Sequence, residues 1–308
     1  MQNARRLSSR AGVVAAAYLI AMSALAGALG YAMLGPLGAV AAVGVMAAAF
    51  GLGTRGYDGS VQLRRAGAAP LEAWQALELF EEVRWLARRA GLTVMPRLFA
   101  IDNRQPNAVT VGTPDAAAIG ITLGLLRGLN RLQLRRVLAH ELAHIRNNDI
   151  WLAAIASAAR RLTALLTTFG LVGVLVALPA MLFGVVSFAP SLLLLLLAAP
   201  TASALLQLAL SRSRELAADR AAAALTGDPA GLASALRILD RANRNWLSWL
   251  FGWREPPQSS HLLLTHPPTR ERVRRLHQMM RITPAARPDE QVRRTATPPA
   301  APRVIAMR

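Results

Sequence analysis

VLAHELAHIRNND, the stretch from Val137 to Asp149, is the part of this sequence around which the expected fold is built. It contains the pattern His-Glu-x-x-His, at His140, Glu141 and His144, inside a segment with the composition of a helix. Histidines four residues apart lie on one helical face, so both imidazoles can reach one metal ion. Glu141 lies beside them, where it can take a proton from an attacking water. The pattern predicts a zinc site; two ordinary histidines on a surface helix are the alternative.

The apolar residues of this 308-residue chain are concentrated in two long blocks. Residues 11–54 and residues 162–211 contain no charged side chain. About 20 apolar residues cross a bilayer as a helix, so each block predicts two spans joined by a short turn. Buried core helices are disfavoured because they rarely run so far without a charge. A cleaved signal peptide is disfavoured because the first apolar run continues past any cleavage site.

The strongly basic composition bears on whether the partner is a lipid bilayer or nucleic acid. The net charge is +18, and all 35 basic residues are arginine. Many of these arginines flank the apolar blocks, where they would meet anionic lipid headgroups. The composition therefore predicts a lipid bilayer as partner and no nucleic acid. Because the chain has no cysteine, any metal site must use histidine and carboxylate ligands.

The arginines also predict the topology. The turn near Gly35-Pro36 is uncharged, whereas basic residues bracket the outer ends of both blocks: Arg5, Arg6, Arg10, Arg55, Arg64, Arg65, Arg160, Arg161, Arg212 and Arg214. By the positive-inside rule, both hairpins return to the cytoplasm. We therefore expect a multi-pass protein of the bacterial inner membrane, with both termini and all soluble parts cytoplasmic.

Helical and strand patterns alternate outside these blocks. A helix is predicted from Pro70 to Ala90, and Asn130 with Gln133 predicts a capping box at the start of the metal-site helix, which can continue past Asp149. Short strands are predicted at Leu98–Ile101, Ala108–Val111 and Ala118–Thr122, and further helices at 212–226, at about 229–244 and after Pro267-Pro268. The expected fold is a mainly α membrane protein with a small β-sheet.

The chain is expected to divide into five segments. They are an N-terminal region with the first transmembrane hairpin (1–54), a first catalytic part with the HELAH helix (55–161), the second hairpin (162–211), a second catalytic part (212–283) and a disordered tail (284–308).

Two histidines leave a catalytic zinc one protein ligand short. A third histidine six residues after His144 is excluded, because Asn147 and Ile150 occupy the positions where that motif has glycine and histidine. The downstream glutamates are Glu215, Glu255, Glu271 and Glu290. Glu215 is favoured because it is helical and directly follows the second hairpin.

Other polar residues are candidates for supporting roles. Asp219, one turn after Glu215, can accept a hydrogen bond from a ligand histidine; an ion pair with an arginine of its own helix is the alternative. The oxyanion formed during hydrolysis needs a donor besides zinc. The candidates are His266, Arg270 and Arg272, and a structural role is the alternative for each.

The ordered motifs HELAHIRNND, SRELAADR and THPPTRERV, with a hairpin before and another between the zinc motifs, resemble the HtpX-type membrane metalloendopeptidases, relatives of the CAAX prenyl endopeptidases. The resemblance covers about residues 10–280. It implies a gluzincin-like α+β zinc protease domain with four transmembrane helices. It also implies one Zn²⁺ per chain held by His140, His144 and Glu215, with Glu141 catalytic and Asp219 supporting.

The resemblance also implies a substrate site. The segment PNAVTVG, at residues 106–112, is similar to an edge strand, PNAFATG, on which an extended substrate pairs by backbone hydrogen bonds. The substrate-binding residues would be Asn107, Ala108, Val109 and Thr110, and His266 would act on the substrate or the transition state. Val109 and Val111 stand where the family often has Phe and Thr, which leaves the strand character intact.

The expected function is zinc-dependent cleavage of misfolded or damaged membrane proteins at the cytoplasmic side, as part of quality control in the stress response. A dedicated processing peptidase of CAAX type, or for another specific substrate, is the alternative within the same chemistry. A non-catalytic membrane scaffold is the alternative from another class, although no ligand or base is missing. Small residues such as Gly27 and Gly30 can support helix packing within or between chains, so a homo-oligomer stays open.

Overall fold

The computed structural model describes residues 2–52, 58–185, 187–243 and 269–282. In chain order the elements are α1 (Gln2–Leu52), α2 (Gly59–Arg65), β1 (Ala69–Pro70), α3 (Leu77–Ala90), β2 (Arg97–Ile101), β3 (Ala108–Val111), a 3₁₀ turn (Pro114–Ala116), β4 (Ala118–Thr122), α4 (Leu123–Gly128), α5 (Arg131–Arg146), α6 (Asp149–Leu182), α7 (Pro190–Thr226), α8 (Pro229–Asn243) and α9 (Thr269–Ile282). The mainly helical character and the small sheet confirm the expected fold class in outline.

The chain divides into two compact units, each discontinuous in sequence. One, here the helical unit, comprises Met1–Gly56 and Trp151–Arg214. The other, here the mixed unit, comprises Tyr57–Ile150 and Glu215–Arg308. The disordered tail expected at 284–308 lies outside the described residues.

The helical unit contains a sharp turn inside α1. Gly35 has φ 67° and ψ −153°, so the helix is interrupted beside Pro36. A Cβ atom at Gly30 would lie 2.2 Å from the carbonyl oxygen of Gly38, so the two backbones are in contact there. One buried cluster contains residues from both halves of α1: Tyr18, Met22, Ala26, Ala42 and Met46. The two halves of α1 therefore fold back on each other, as the uncharged turn near Gly35-Pro36 predicted.

Among the described residues, three helices are long and apolar enough to cross a membrane. They include Gly12–Gly51 of α1, Asp149–Leu182 and Pro190–Thr226. Large apolar side chains such as Leu37, Val176 and Leu197 are exposed on them. Such surfaces are costly in water, so these helices imply a lipid bilayer.

The mixed unit is built on a four-stranded sheet in the order β1-β2-β4-β3. β2 and β4 are parallel, whereas β1 and β3 pair antiparallel with their neighbours. The central strand β4 is buried throughout its length. Its Ile119 and Ile121 belong to the core shared with α3, α5 and α8, whereas Ala118 packs on the opposite face with Leu63 of α2. β3 lies at an edge of the sheet and packs against α5.

The predicted start of α3 at Pro70 was wrong. Pro70 lies in β1 opposite Phe99, the Leu71 N–H donates to the Leu98 carbonyl oxygen at 2.9 Å, and the helix begins only at Leu77. The φ that the proline ring fixes suits an edge strand as well as the first turn of a helix. The local sequence pattern alone therefore could not distinguish a strand from a helix start at Pro70. At its other end the helix finishes at Ala90 as predicted, followed by Gly91 in the left-handed conformation.

The sequence predicts that the helix carrying His140 and His144 can continue past Asp149, but α5 ends at Arg146. α5 is capped by Asn147, and Asn148 has φ 57°, a left-handed conformation that asparagine tolerates better than most residues. A new helix, α6, then begins at Asp149. This break places the first carboxylate of α6 beside α5.

Candidate metal centre

α5 is fixed at its start by the capping box that the sequence predicts. The Gln133 N–H donates to the Asn130 side chain at 2.9 Å, and the Asn130 N–H donates to the Gln133 side chain at 3.1 Å. Its other end is packed: Leu138, Leu142 and Ile145 are fully buried. A helix held in this way presents His140 and His144 from one face on successive turns.

Three side chains from two helices converge at this face. The Nε2 atoms of His140 and His144 lie 3.1 Å apart, and their rings meet edge to face. Glu215 of α7 places its carboxylate oxygens 3.4 Å from Nε2 of His140 and 3.5 Å from Nε2 of His144. One ligand atom from each of the three residues lies within 4.8 Å of the others. Two imidazole nitrogens and a carboxylate oxygen at this separation fit a divalent metal ion.

His140 is oriented by a carboxylate on the helix that carries Glu215. Asp219, one turn further along α7, places Oδ1 3.1 Å from Nδ1 of His140. Arg272 of α9 donates two hydrogen bonds to the same carboxylate, each 2.7 Å long, and lies 3.2 Å from Oε2 of Glu215. Asp219 therefore contacts both a histidine of the site and an arginine from another helix, rather than an arginine of its own helix.

His144 also has a carboxylate partner, which the sequence pattern did not predict. Asp149 Oδ2 lies 2.8 Å from Nδ1 of His144. Asp149 is the first residue of α6, where the helix dipole favours a negative charge. The Asn-Asn pair before an aspartate, at the end of an amphipathic helix, was the signal that could have indicated this turn. Each histidine thus has Nε2 facing Glu215 and the other histidine, and Nδ1 facing a second carboxylate.

Burial and charge set the protonation of these groups. Burial, together with the nearby His140, lowers the pKa of His144, which favours the neutral form that a metal ligand needs. Burial alone would lower the pKa of Arg272. However, the charge of Asp219 and its hydrogen bonds outweigh burial and hold the pKa of this guanidinium above its ordinary value. Arg272 therefore stays cationic although it is buried.

Glu141 of α5, the expected base, faces β3, the expected substrate strand. Glu141 is 8% exposed, and its Oε2 accepts a hydrogen bond from the Thr110 hydroxyl at 2.6 Å. Asn107 precedes β3, and Ala108, Val109 and Thr110 lie within it. The Asn107 backbone is tied to Thr122, whose hydroxyl accepts from its N–H at 2.8 Å. The strand is thereby anchored at its start.

The other residues considered as a third ligand or as oxyanion donors differ in their location and contacts. His266, Glu255 and Glu290 lie outside the described residues. Glu271 pairs with Arg275 one turn along α9, at 3.0 Å. Arg270 is exposed, whereas Arg272 is buried in the ion pair with Asp219.

Replacing Asp149 by alanine is expected to weaken metal binding by about 10- to 100-fold, because His144 loses the carboxylate that fixes its ring. The measurement is a zinc titration of detergent-purified protein against a chromophoric chelator. Asp115→Ala, at an exposed position of the 3₁₀ turn, is the matched control. Wild-type affinity in Asp149→Ala would show that the contact does not orient the ligand.

A His-Glu-x-x-His helix completed by a glutamate from a second helix defines the site of a metal-dependent hydrolase. The family model for peptidase family M48 matches residues 73–280. A protease HtpX homolog of Acidiphilium cryptum is 38% identical over 282 residues, covering 85% of this chain and 94% of the relative. Homologs of the same name from Pelotomaculum thermopropionicum and Salinibacter ruber are each 38% identical, over 72% of this chain and 83% and 82% of the relative.

The chain belongs to peptidase family M48 and is an HtpX-type metalloprotease. Its substrates are therefore proteins, and its long apolar helices make it a membrane protein.

Proposed function

We propose that this protease is a zinc endopeptidase that cleaves misfolded or damaged membrane proteins at the cytoplasmic side of the bacterial inner membrane. The observation that carries the proposal is the convergence of His140, His144 and Glu215 within 4.8 Å beside Glu141. Supporting it are the relatives named as HtpX homologs and the membrane-spanning length of the apolar helices.

Zinc is the proposed metal, one ion per chain. Catalytic zinc uses three protein ligands drawn from histidine, glutamate, aspartate and cysteine, and this chain has no cysteine. Softer sites built on thiolates are therefore excluded, and the His-His-Glu donor set fits. When bound, zinc acidifies a water molecule and polarises the scissile carbonyl.

The chain's own residues supply the proton transfers. Glu141 takes a proton from the attacking water and later returns it to the leaving amine. The substrate pairs in extended form with β3 at Asn107–Thr110, which places its backbone along the strand that contacts Glu141. Arg272 is already engaged with Asp219 and Glu215, so we propose His266 as the donor to the oxyanion.

The proposed topology has four spans in two hairpins. The interruption at Gly35 and the contact between Gly30 and Gly38 support division of α1 into two spans. The uncharged turns and the flanking arginines support a cytoplasmic location for both termini and the metal site. Reporter fusions near Gly35 and at the C-terminus test this topology, and a periplasmic C-terminus would overturn it.

The function is tested with the full-length protein in detergent. Labelled casein and an unfolded membrane protein are incubated with the enzyme before and after removal of metal by a chelator, and again after zinc is restored. We expect cleavage to stop on chelation and to return with zinc. No zinc-dependent cleavage of either substrate would contradict the endopeptidase proposal and favour a non-catalytic scaffold.

A dedicated processing peptidase is the second candidate, because its site would contain the same residues. Capture of substrates in cells with Glu141→Gln separates the two. Many unrelated membrane proteins trapped together indicate quality control, whereas one recurring substrate indicates a processing enzyme.

A further inference from the structure

The two faces of β3 are different. Val109 and Val111 pack beside the cluster of Leu63, Phe99 and Ala118 on one side of the sheet. Ala108 packs against the core that contains α5. Because side chains alternate along a strand, Thr110 shares the face of Ala108 and points toward α5. The strand therefore presents one hydroxyl to the helix that carries the metal ligands.

That hydroxyl contacts the expected catalytic base directly. Thr110 Oγ1 lies 2.6 Å from Oε2 of Glu141, the distance of a charge-assisted hydrogen bond in which the hydroxyl donates to a carboxylate. Glu141 is nearly buried, and in the described part of the chain its other oxygen, Oε1, accepts no hydrogen bond. The contact fixes one carboxylate oxygen and leaves the second to receive a proton.

The backbone of β3 is held independently of this contact. The strand pairs with β4, with Thr110 opposite Ile119, and its start is tied to Thr122 through Asn107. Loss of the Thr110 hydroxyl would therefore leave the strand in place. What it would change is the freedom of the Glu141 side chain.

We propose that Thr110 is a positioning residue that sets the orientation of the Glu141 carboxylate and links it to the strand on which the substrate lies. This inference rests on the proposed function, in which Glu141 is the base and β3 pairs with the substrate. A peptide paired with β3 would then lie at a fixed position relative to the base, because the same strand holds both. Thr110 touches neither the scissile bond nor the metal, and it acts through Glu141.

Thr110→Val is the central variant, because valine keeps the shape and strand preference of threonine but has no hydroxyl. Thr110→Ser is the matched variant, because it keeps the hydroxyl and removes a methyl group. Both are compared with wild type and Glu141→Gln in detergent, as zinc-loaded full-length enzyme, on a quenched-fluorescence peptide taken from a casein cleavage site. Zinc content and Tm are measured for each.

We expect Thr110→Val to lower kcat by about 10- to 100-fold, a part of the factor that a positioned base contributes. Its KM should stay within about twofold of wild type, because backbone pairing along β3 is unchanged. Zinc content and Tm should match wild type. Thr110→Ser should recover kcat to within about threefold of wild type.

Two results would overturn the inference. One is wild-type kcat in Thr110→Val. The other is an equal loss of kcat in the valine and serine variants accompanied by lower Tm or zinc content, which indicates a structural contact. Glu141→Gln keeps the two proposals distinguishable: an active Glu141→Gln enzyme refutes the proposed base. An inactive Glu141→Gln enzyme beside a fully active Thr110→Val enzyme refutes only the role of Thr110.

Discussion

Replacing Glu141 by glutamine is expected to abolish proteolysis while leaving the metal site loaded. Glutamine has the shape of glutamate and can still accept the hydrogen bond from Thr110, but it cannot take a proton from water. Loss of a positioned base costs about 10²- to 10⁴-fold in rate, or about 3–5 kcal/mol of transition-state stabilisation. The three proposed metal ligands are unchanged in this variant.

The measurement combines cleavage of labelled casein with zinc content by mass spectrometry. Glu81→Gln is the matched control, since Glu81 lies on α3 and pairs with the exposed Arg84. We expect the control to cleave casein at the wild-type rate and both variants to hold one zinc per chain. If Glu141→Gln also cleaves at that rate, Glu141 is not the base.

Replacing Glu215 by alanine is expected to remove the metal itself. The variant retains only two protein ligands, His140 and His144, and leaves the buried Arg272 with one carboxylate partner fewer. Metal affinity should fall by at least about 100-fold, more than for loss of a supporting carboxylate. Proteolysis should disappear at the same zinc concentration that saturates the wild-type enzyme.

The test is zinc occupancy after dialysis against a weak chelator, compared with wild type. Glu78→Gln is the control, because Glu78 is an exposed glutamate at the start of α3. Circular dichroism distinguishes metal loss from unfolding, and the variant should keep its helical spectrum. Full occupancy in Glu215→Ala would mean that the third ligand is misassigned.

The described arrangement shows why these two variants should differ. Glu141 is held by the sheet through Thr110, whereas Glu215 is held by α9 through Arg272. Loss of the first is therefore expected to change proton transfer, and loss of the second is expected to change metal retention. Measuring both properties on both variants separates the chemistry of the base from the assembly of the metal site.

Sequence periodicity and local chemistry predicted much of the fold. The capping box of α5, the strands Ala108–Val111 and Ala118–Thr122, the turn at Gly35 and the helix predicted at about 229–244 are present. These features depend on residues close together in the chain, such as a side chain that caps a helix three residues later. Pro70 was misassigned because its strand partner, Phe99, is distant in sequence.

The sequence by itself determined the chemistry of this protein: two histidines and a glutamate at helical spacing, no cysteine, and apolar blocks long enough to cross a bilayer. It favoured Glu215 among four glutamates through its helical context. Only the tertiary structure brought Glu215, Asp219 and Arg272 to His140, gave His144 its partner Asp149 and placed Thr110 on Glu141. The reason is physical: helical spacing fixes which side chains share a face, whereas contacts between distant elements depend on how those faces pack.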